Sequence, residues 1–375
     1  MLFSRACSLS NYLRCMPKLL HSFSRPAMNL ADVISSLNEF ASLSLAESWD
    51  NVGLLVEPSP PHTVSNLFLT NDLTERVMEE AVSQKADLIL SYHPPIFKAL
   101  TRVTWKTWKE RIVIAALENR IAVYSPHTAY DALPNGVNDW LAKSLGECIT
   151  VPLHPAAAVS VSGKVSHRVE FVVEQNLETI LSGLKSIQEI SYKTYSVVSD
   201  GKNCTRVSLN CTQRALIELV NFLSKEGVLQ HGTDIISLQQ PPLPNSGMGR
   251  LCTLTEKASL AIVINRIKNH LRLPYLRLAL GVGKTLDRQV KVAAICAGSG
   301  ASVLRGVPAD LYLTGEMSHH DILDANAQGI SIILCDHSNT ERGFLEVLKE
   351  SLTERFNKQI KVLVSQADCD PLKVV

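Results

Sequence analysis

Ile330-Ser331-Ile332-Ile333-Leu334, an apolar run, passes through Cys335-Asp336-His337-Ser338-Asn339-Thr340-Glu341 into the amphipathic pattern Arg342-Gly343-Phe344-Leu345-Glu346-Val347-Leu348. This order predicts a strand, a turn and a helix that begins near Asn339, with Glu341 in its first turn and His337 just before it. An imidazole and a carboxylate then converge at the carboxyl end of a strand, where open α/β sheets hold their ligands. The arrangement recurs upstream. Ile121-Ala122-Val123-Tyr124 ends in Ser125-Pro126-His127, and Asp131 follows four residues on. His-x-x-x-Glu and His-x-x-x-Asp stand at equivalent points of two similar units.

The surrounding segments repeat as well. Ala86-Asp87-Leu88-Ile89-Leu90 parallels Ala309-Asp310-Leu311-Tyr312-Leu313, and each precedes, by one helix, the strand that ends at His127 or His337. Short continuous apolar runs are typical of buried parallel strands. The expected fold class is α/β, with two similar α/β lobes forming a pseudo-duplicated core. After Pro152 to Pro155 the order changes to β-α-β-β-α-β, with strands at 168–173, 191–198, 206–211 and 235–238 and helices at 177–187 and 213–225. That is the order of a ferredoxin-like α+β unit. The expected segments are a leader at 1–27, a first lobe at 28–155, a ferredoxin-like insert at 156–245, and a second lobe at 246–375 that finishes on strand 360–364. The leader carries Arg5, Arg14, Lys18 and Arg25 and no acidic residue. This is the composition of a mitochondrial transit peptide or of a disordered leader before an internal start at Met28.

Composition narrows the function. The chain has 375 residues, 46% of them hydrophobic and 19% charged, enough for two or three domains with real cores. A formal net charge of +1 gives no global electrostatic footprint for nucleic acid, so direct DNA binding is not expected. Nine cysteines without a Cys-x-x-Cys pair point to a reducing compartment, cytoplasm or nucleus, and to small core residues rather than a zinc knuckle. No apolar run approaches the roughly 20 residues of a membrane helix.

His93, His127, Asp131, Glu316, His319, His320, His337 and Glu341 all lie at or just beyond the ends of expected strands. Any one of these histidines alone is more often a satisfied structural or surface residue than a ligand. As a set, with the repeated His-x-x-x-acid spacing and no paired cysteines, they have the donor chemistry of a divalent transition metal, zinc, iron or manganese. Glu341 can bridge two such ions roughly 3.5 to 4 Å apart, the separation used in two-metal hydrolysis. Asp336 is expected to cap the following helix or to orient His337. His319 and His320 are expected beside the substrate or on an exposed helical turn, and Asp50 and Asn51 in a turn or a wall of the site. Two glycine motifs carry little weight as nucleotide signals. Gly281-Val282-Gly283-Lys284-Thr285 has Leu278 where a phosphate loop needs its first glycine and reads as a hairpin, and Gly298-Ser299-Gly300 has Val303 where a dinucleotide fingerprint needs its third.

Six motifs together resemble one family. They are Trp49-Asp50-Asn51-Val52-Gly53-Leu54, Leu90-Ser91-Tyr92-His93-Pro94-Pro95, Tyr124-Ser125-Pro126-His127-Thr128 with Asp131, Gly247-Met248-Gly249-Arg250, Leu313-Thr314-Gly315-Glu316 and His337-Ser338-Asn339-Thr340-Glu341. The family is the NGG-interacting-factor-three-like family, also known as GTP cyclohydrolase I type 2 and dinuclear metal centre proteins. The resemblance covers nearly everything from residue 30 to the end. It implies two similar lobes, sometimes with an inserted ferredoxin-like domain, and homodimers that often assemble to a hexameric ring. It also implies a site of one or two metal ions per subunit, with ligands on His93, Asp131, His337 and Glu341. Bacterial members carry His-His-Pro where this chain has Tyr92-His93-Pro94, so a phenol, a poor ligand while protonated, replaces one imidazole. Two functions follow. One is a metal-dependent hydrolase of cyclohydrolase or phosphoesterase type, acting on a nucleotide-like or phosphoester substrate, with His127 or Glu316 moving protons. The other is a co-regulator of corepressor type with transcription-related protein partners, in which the metal is structural.

Overall fold

Asn29 caps the opening helix Leu30–Phe40 by accepting the Ala31 N–H, and Leu30, Val33 and Leu37 bury its apolar stripe. The computed structural model describes residues 27–157, 165–199, 201–238 and 242–375, so all but the last residue of the expected leader lies outside it. In the first lobe Asn66–Thr70, Leu88–Ser91 and Ala122–Ser125 are neighbouring parallel strands, with Gly53–Val56 antiparallel on one edge. In the second, Gln289–Cys296, Leu311–Thr314 and Ser331–Leu334 are parallel in the same order, with Arg277–Ala279 antiparallel on the corresponding edge.

The likeness extends to single hydrogen bonds. Asp87 accepts the N–H groups of Ser65 and Asn66 at the start of the neighbouring strand, and Asp310 accepts those of Lys291 and Val292 in the same way. Each carboxylate satisfies two successive backbone donors, at the start of Asn66–Thr70 in one lobe and two residues into Gln289–Cys296 in the other. By this correspondence His127 matches His337, and Asp131 matches Glu341. The central strands are buried along their whole length, which is why they read as unbroken apolar runs. Leu67, Leu69, Leu88, Leu90 and Tyr124 of the first sheet share one hydrophobic cluster with Ala293, Ile295, Leu311, Leu313 and Ile333 of the second.

Two strands cross the segment boundaries drawn from the sequence. Lys361–Val364 pairs parallel with Asn66–Thr70 in the first lobe rather than finishing the second. Cys148–Val151 pairs with Arg250–Ser259 at the edge of the second lobe's sheet. The helix Phe344–Arg355, buried through Leu345, Leu348 and Leu352 in the shared core, delivers the last strand to the first lobe. Arg250, 1% exposed, adds a further tie: its guanidinium donates to both carboxylate oxygens of Asp139 and to the carbonyls of Leu133, Gly247 and Gly249.

The insert is a four-stranded antiparallel sheet in the order Ile190–Ser199, Lys202–Cys211, His167–Val173, Thr233–Ser237. The helices Leu177–Ser186 and Gln213–Lys225 close its separate core through Leu184 and Leu219 against Val169, Phe171 and Val207. Its entry and exit segments, His154–Ala157 and Pro242–Met248, pair with each other.

Two local expectations are corrected. Residues 281–285 turn no hairpin, because Ser331–Leu334 and Leu311–Thr314 lie between Arg277–Ala279 and Gln289–Cys296. The helix after His337 begins at Phe344 rather than near Asn339, and Ser338–Thr340 is a tight 3₁₀ turn that ends at Glu341. The cause is a crosslink: the Thr340 hydroxyl donates to the His337 carbonyl and accepts the Gly298 N–H, tying the turn to the neighbouring loop. Among the described residues no helix is long and apolar enough to cross a membrane. Cys204, Cys211, Cys252, Cys296 and Cys335 are buried free thiols.

Candidate metal centre

Strand ends from both lobes meet here. His93 follows Leu88–Ser91, and its Nδ1 donates at 2.8 Å to Asp72, which lies just past Asn66–Thr70. His337 follows Ser331–Leu334, and its Nδ1 donates at 2.8 Å to Glu316, just past Leu311–Thr314. In each lobe a carboxylate beyond one parallel strand holds the imidazole beyond the next. Such a bond fixes the tautomer and leaves the lone pair on Nε2. His127, after Ala122–Ser125, is held likewise by Asp50 at 2.7 Å, and Asp50 also accepts the N–H and hydroxyl of Thr128. His127 has φ +34° and ψ −117°, a strained backbone that these contacts hold in place.

Two of the Nε2 atoms face one carboxylate. Glu341, 4% exposed, places Oε2 3.3 Å from His93 Nε2 and Oε1 3.4 Å from His337 Nε2. Asn71 donates to Oε2 at 3.2 Å. Donor atoms of His93, His337 and Glu341 all lie within 4.8 Å of one another. His93 Nε2 is buried with only the Glu341 carboxylate facing it, at 3.3 Å, so a proton on Nε2 answers that carboxylate and a metal ion bound there would take the proton's place. Burial opposes charge on His93, yet Glu341 and Asp72 outweigh it and push its pKa up to about 10. Burial would raise the Glu341 carboxyl, but His93 and His337 hold it below its usual range. The same field suits a divalent ion, and the nitrogen and oxygen donors fit zinc, iron or manganese.

Asp131 stands outside that group of three. It is buried on the helical turn Thr128–Ala132, and its carboxylate accepts the hydroxyl of Tyr92. Burial and the neighbouring Glu341 push the Asp131 carboxyl up to about 7. Burial and the charge of Asp131 push the Tyr92 phenol well above its ordinary range, so it acts as a donor.

A cavity of about 410 Å³ opens beside these groups, lined by Trp49, Phe97, His127 and Asp131 together with His337 and Glu341. A family model described as Duf34/NIF3 (NGG1p interacting factor 3) matches residues 28–371 and so spans the whole site. The chain belongs to the Duf34/NIF3 family. It is 59% identical over 365 residues to NIF3-like protein 1 of Homo sapiens, covering 97% of either chain. It is 30% identical over 358 residues to NGG1-interacting factor 3 of Saccharomyces cerevisiae, covering 92% of this chain and 96% of the yeast protein. The crystal structure of Staphylococcus aureus protein SA1388 matches with a TM-score of 0.65 at 25% identity, covering 93% of this chain and 99% of that one. A Bacillus cereus protein related to NIF3 shares the fold, with a TM-score of 0.64 at 22% identity over 93% and 99% of the two chains.

This NIF3-family chain uses its internal repeat asymmetrically. The group of three takes His337 and Glu341 from one lobe, and from the other it takes His93 rather than their counterparts His127 and Asp131. Glu316 orients His337. Asp336, at φ +65°, pairs with Arg277 instead of capping a helix or holding His337. His319 and His320 lie edge to face on the exposed start of the helix His319–Ala327. The Gly298 turn, weak as a nucleotide signal, belongs to this site: a β-carbon there would lie 2.6 Å from Glu341 Oε1 and 3.0 Å from His337 Nε2. Asn71 and Asp72 carry no motif, and only their place just past a parallel strand marks them.

Proposed function

We propose that this NIF3-family chain is a metal-dependent hydrolase whose centre lies between the lobes on His93, His337 and Glu341, with Asp131 beside them. One observation carries the reading: each oxygen of Glu341 faces the Nε2 of a different histidine, and each histidine is held by its own carboxylate. A divalent transition ion bound there supplies Lewis acidity toward a phosphoryl group or a ring carbon and lowers the pKa of water. The chain's own groups do the rest. Asp72 and Glu316 keep the imidazoles in the tautomer that presents Nε2. Asp131 offers a further oxygen donor on the same wall, and His127, oriented by Asp50, is the group to move a proton between substrate and solvent. Protein purified from Met28 onward, analysed for metal by mass spectrometry beside Glu341→Gln, tests this. About one ion per subunit is expected in wild type and under about a tenth in the variant. A nucleotide and phosphodiester panel should show metal-dependent turnover that His337→Ala abolishes. Wild type without metal ends this reading.

The name of the yeast relative, NGG1-interacting factor 3, supports a second reading, in which the chain engages a transcription-related protein and the metal holds the lobes together. A homo-oligomer acting in cytoplasm and nucleus belongs to this reading, and light scattering with cell fractionation tests both. Partner capture unaffected by His337→Ala, with no turnover under any divalent ion, would select it.

A further inference from the structure

We infer that Trp49 and Phe97 form a subsite for the flat aromatic part of a ligand whose anionic end reaches the metal centre at His337 and Glu341; this deepens the metal-centre reading and rests on it. Trp49 is 60% exposed and Phe97 40%, although large rings contribute most to stability when buried. They are not scattered surface residues. Their ring centres lie 6.0 Å apart, and both sit against His127, at 6.1 and 6.4 Å. All three rings line the cavity that contains His337 and Glu341, and Met248 and Val303 line it as well. The cavity therefore has a polar end at the buried Glu341 and an apolar end at the exposed aromatic pair. Its volume of about 410 Å³ is in the range of small-molecule sites, roughly 300 to 1,000 Å³, rather than of a surface for a folded partner.

The loops that carry the rings are held firmly. Trp49 lies between the turn Leu43–Leu45 and the strand Gly53–Val56, where the Glu47 N–H donates to the Thr128 hydroxyl and the fully buried Asp50 carboxylate holds His127 and Thr128. Asn51 donates its side-chain amide to the Ile96 carbonyl, which joins the Trp49 loop to the Phe97 loop. A pinned backbone with an exposed ring is a preorganised platform. Phe97 and His127 meet the indole edge to face, at 62° and 77°, and with 60% of Trp49 exposed the indole keeps open surface for a flat ligand. At the other end a divalent ion held by His93, His337 and Glu341 would draw an anionic oxygen group. The ligand class is a planar aromatic ring bearing a phosphate or a carboxylate.

The full chain, loaded with zinc, is titrated calorimetrically with phenyl phosphate, cyclohexyl phosphate and inorganic phosphate. Phenyl phosphate is expected to bind about tenfold tighter than cyclohexyl phosphate, which matches its size but has no π face. Trp49→Leu and Phe97→Leu should each reduce that preference, Trp49→Phe should keep most of it, and zinc content should be the same in all three. Equal binding of the two organic phosphates, or a preference unchanged in Trp49→Leu, overturns the aromatic subsite and leaves the metal centre standing on zinc content and inorganic phosphate binding. Failure to load zinc overturns the metal reading instead. The phenyl-to-cyclohexyl comparison is then made on the metal-free protein, where a preference lost in Trp49→Leu supports the subsite and equal binding overturns it.

Discussion

The Tyr92 hydroxyl donates to the Asp131 carboxylate at the wall of the cavity, and both side chains are buried. The phenol thus occupies, with a hydrogen bond, the place that the family resemblance gives to a second imidazole. Tyr92→Phe leaves a buried carboxyl without its donor and should cost about 1 to 3 kcal/mol in urea denaturation. Tyr92→His replaces the donor by a ligand, and mass spectrometry should then find more metal per subunit than in wild type.

Gly298 holds φ +64° against the centre, where a β-carbon would press on both Glu341 and His337. Gly298→Ala should lower zinc affinity at least about tenfold in a chelator competition and destabilise the fold by about 1 to 3 kcal/mol. Gly306, at φ +75° with nothing near a β-carbon, is the control. Gly306→Ala should show the backbone cost with zinc affinity intact.

Glu316 touches His337 only through Nδ1 and is half exposed. Glu316→Gln should therefore weaken zinc binding by about 10- to 100-fold while the denaturation midpoint of the metal-free protein stays put. Asp72→Asn should act alike through His93.

Glu80 fastens the segment after the last strand by accepting the Ser365 hydroxyl at 2.6 Å and the N–H groups of Gln366 and Ala367. Burial would raise its carboxyl, but these donors outweigh burial and hold it below its usual range. A carboxyl that titrates lower when folded stabilises fully above its unfolded pKa of about 4.3, and that contribution is lost as pH falls through the folded value. Glu80→Ala should cost about 1 to 3 kcal/mol at pH 7. The gap to wild type should close in acid, with amide exchange at Gln366 and Ala367 as the local readout.

Much of this was legible in the chain itself. Leu88–Ser91, Ala122–Ser125, Leu311–Thr314 and Ser331–Leu334 announce buried parallel strands because both their faces are covered, and the insert follows its own alternation of strands and helices. His93, His127, His337 and Glu341 could be marked because the end of such a strand is a local property of sequence. Which of them meet was not local. His127 and Asp131 carry the same spacing as His337 and Glu341, yet His93 joins the group of three. The orienting pairs Asp72–His93 and Glu316–His337 each span 21 residues, and Asp50–His127 spans 77. The last strand crosses to the first lobe, and Gly298 is required by a side chain that arrives from a different loop. Hydrophobic period is written residue by residue, so the sequence determined the strands and their ends. A carboxylate and an imidazole pair without any period, so only the packing of two sheets about a shared core decided which ends became a site.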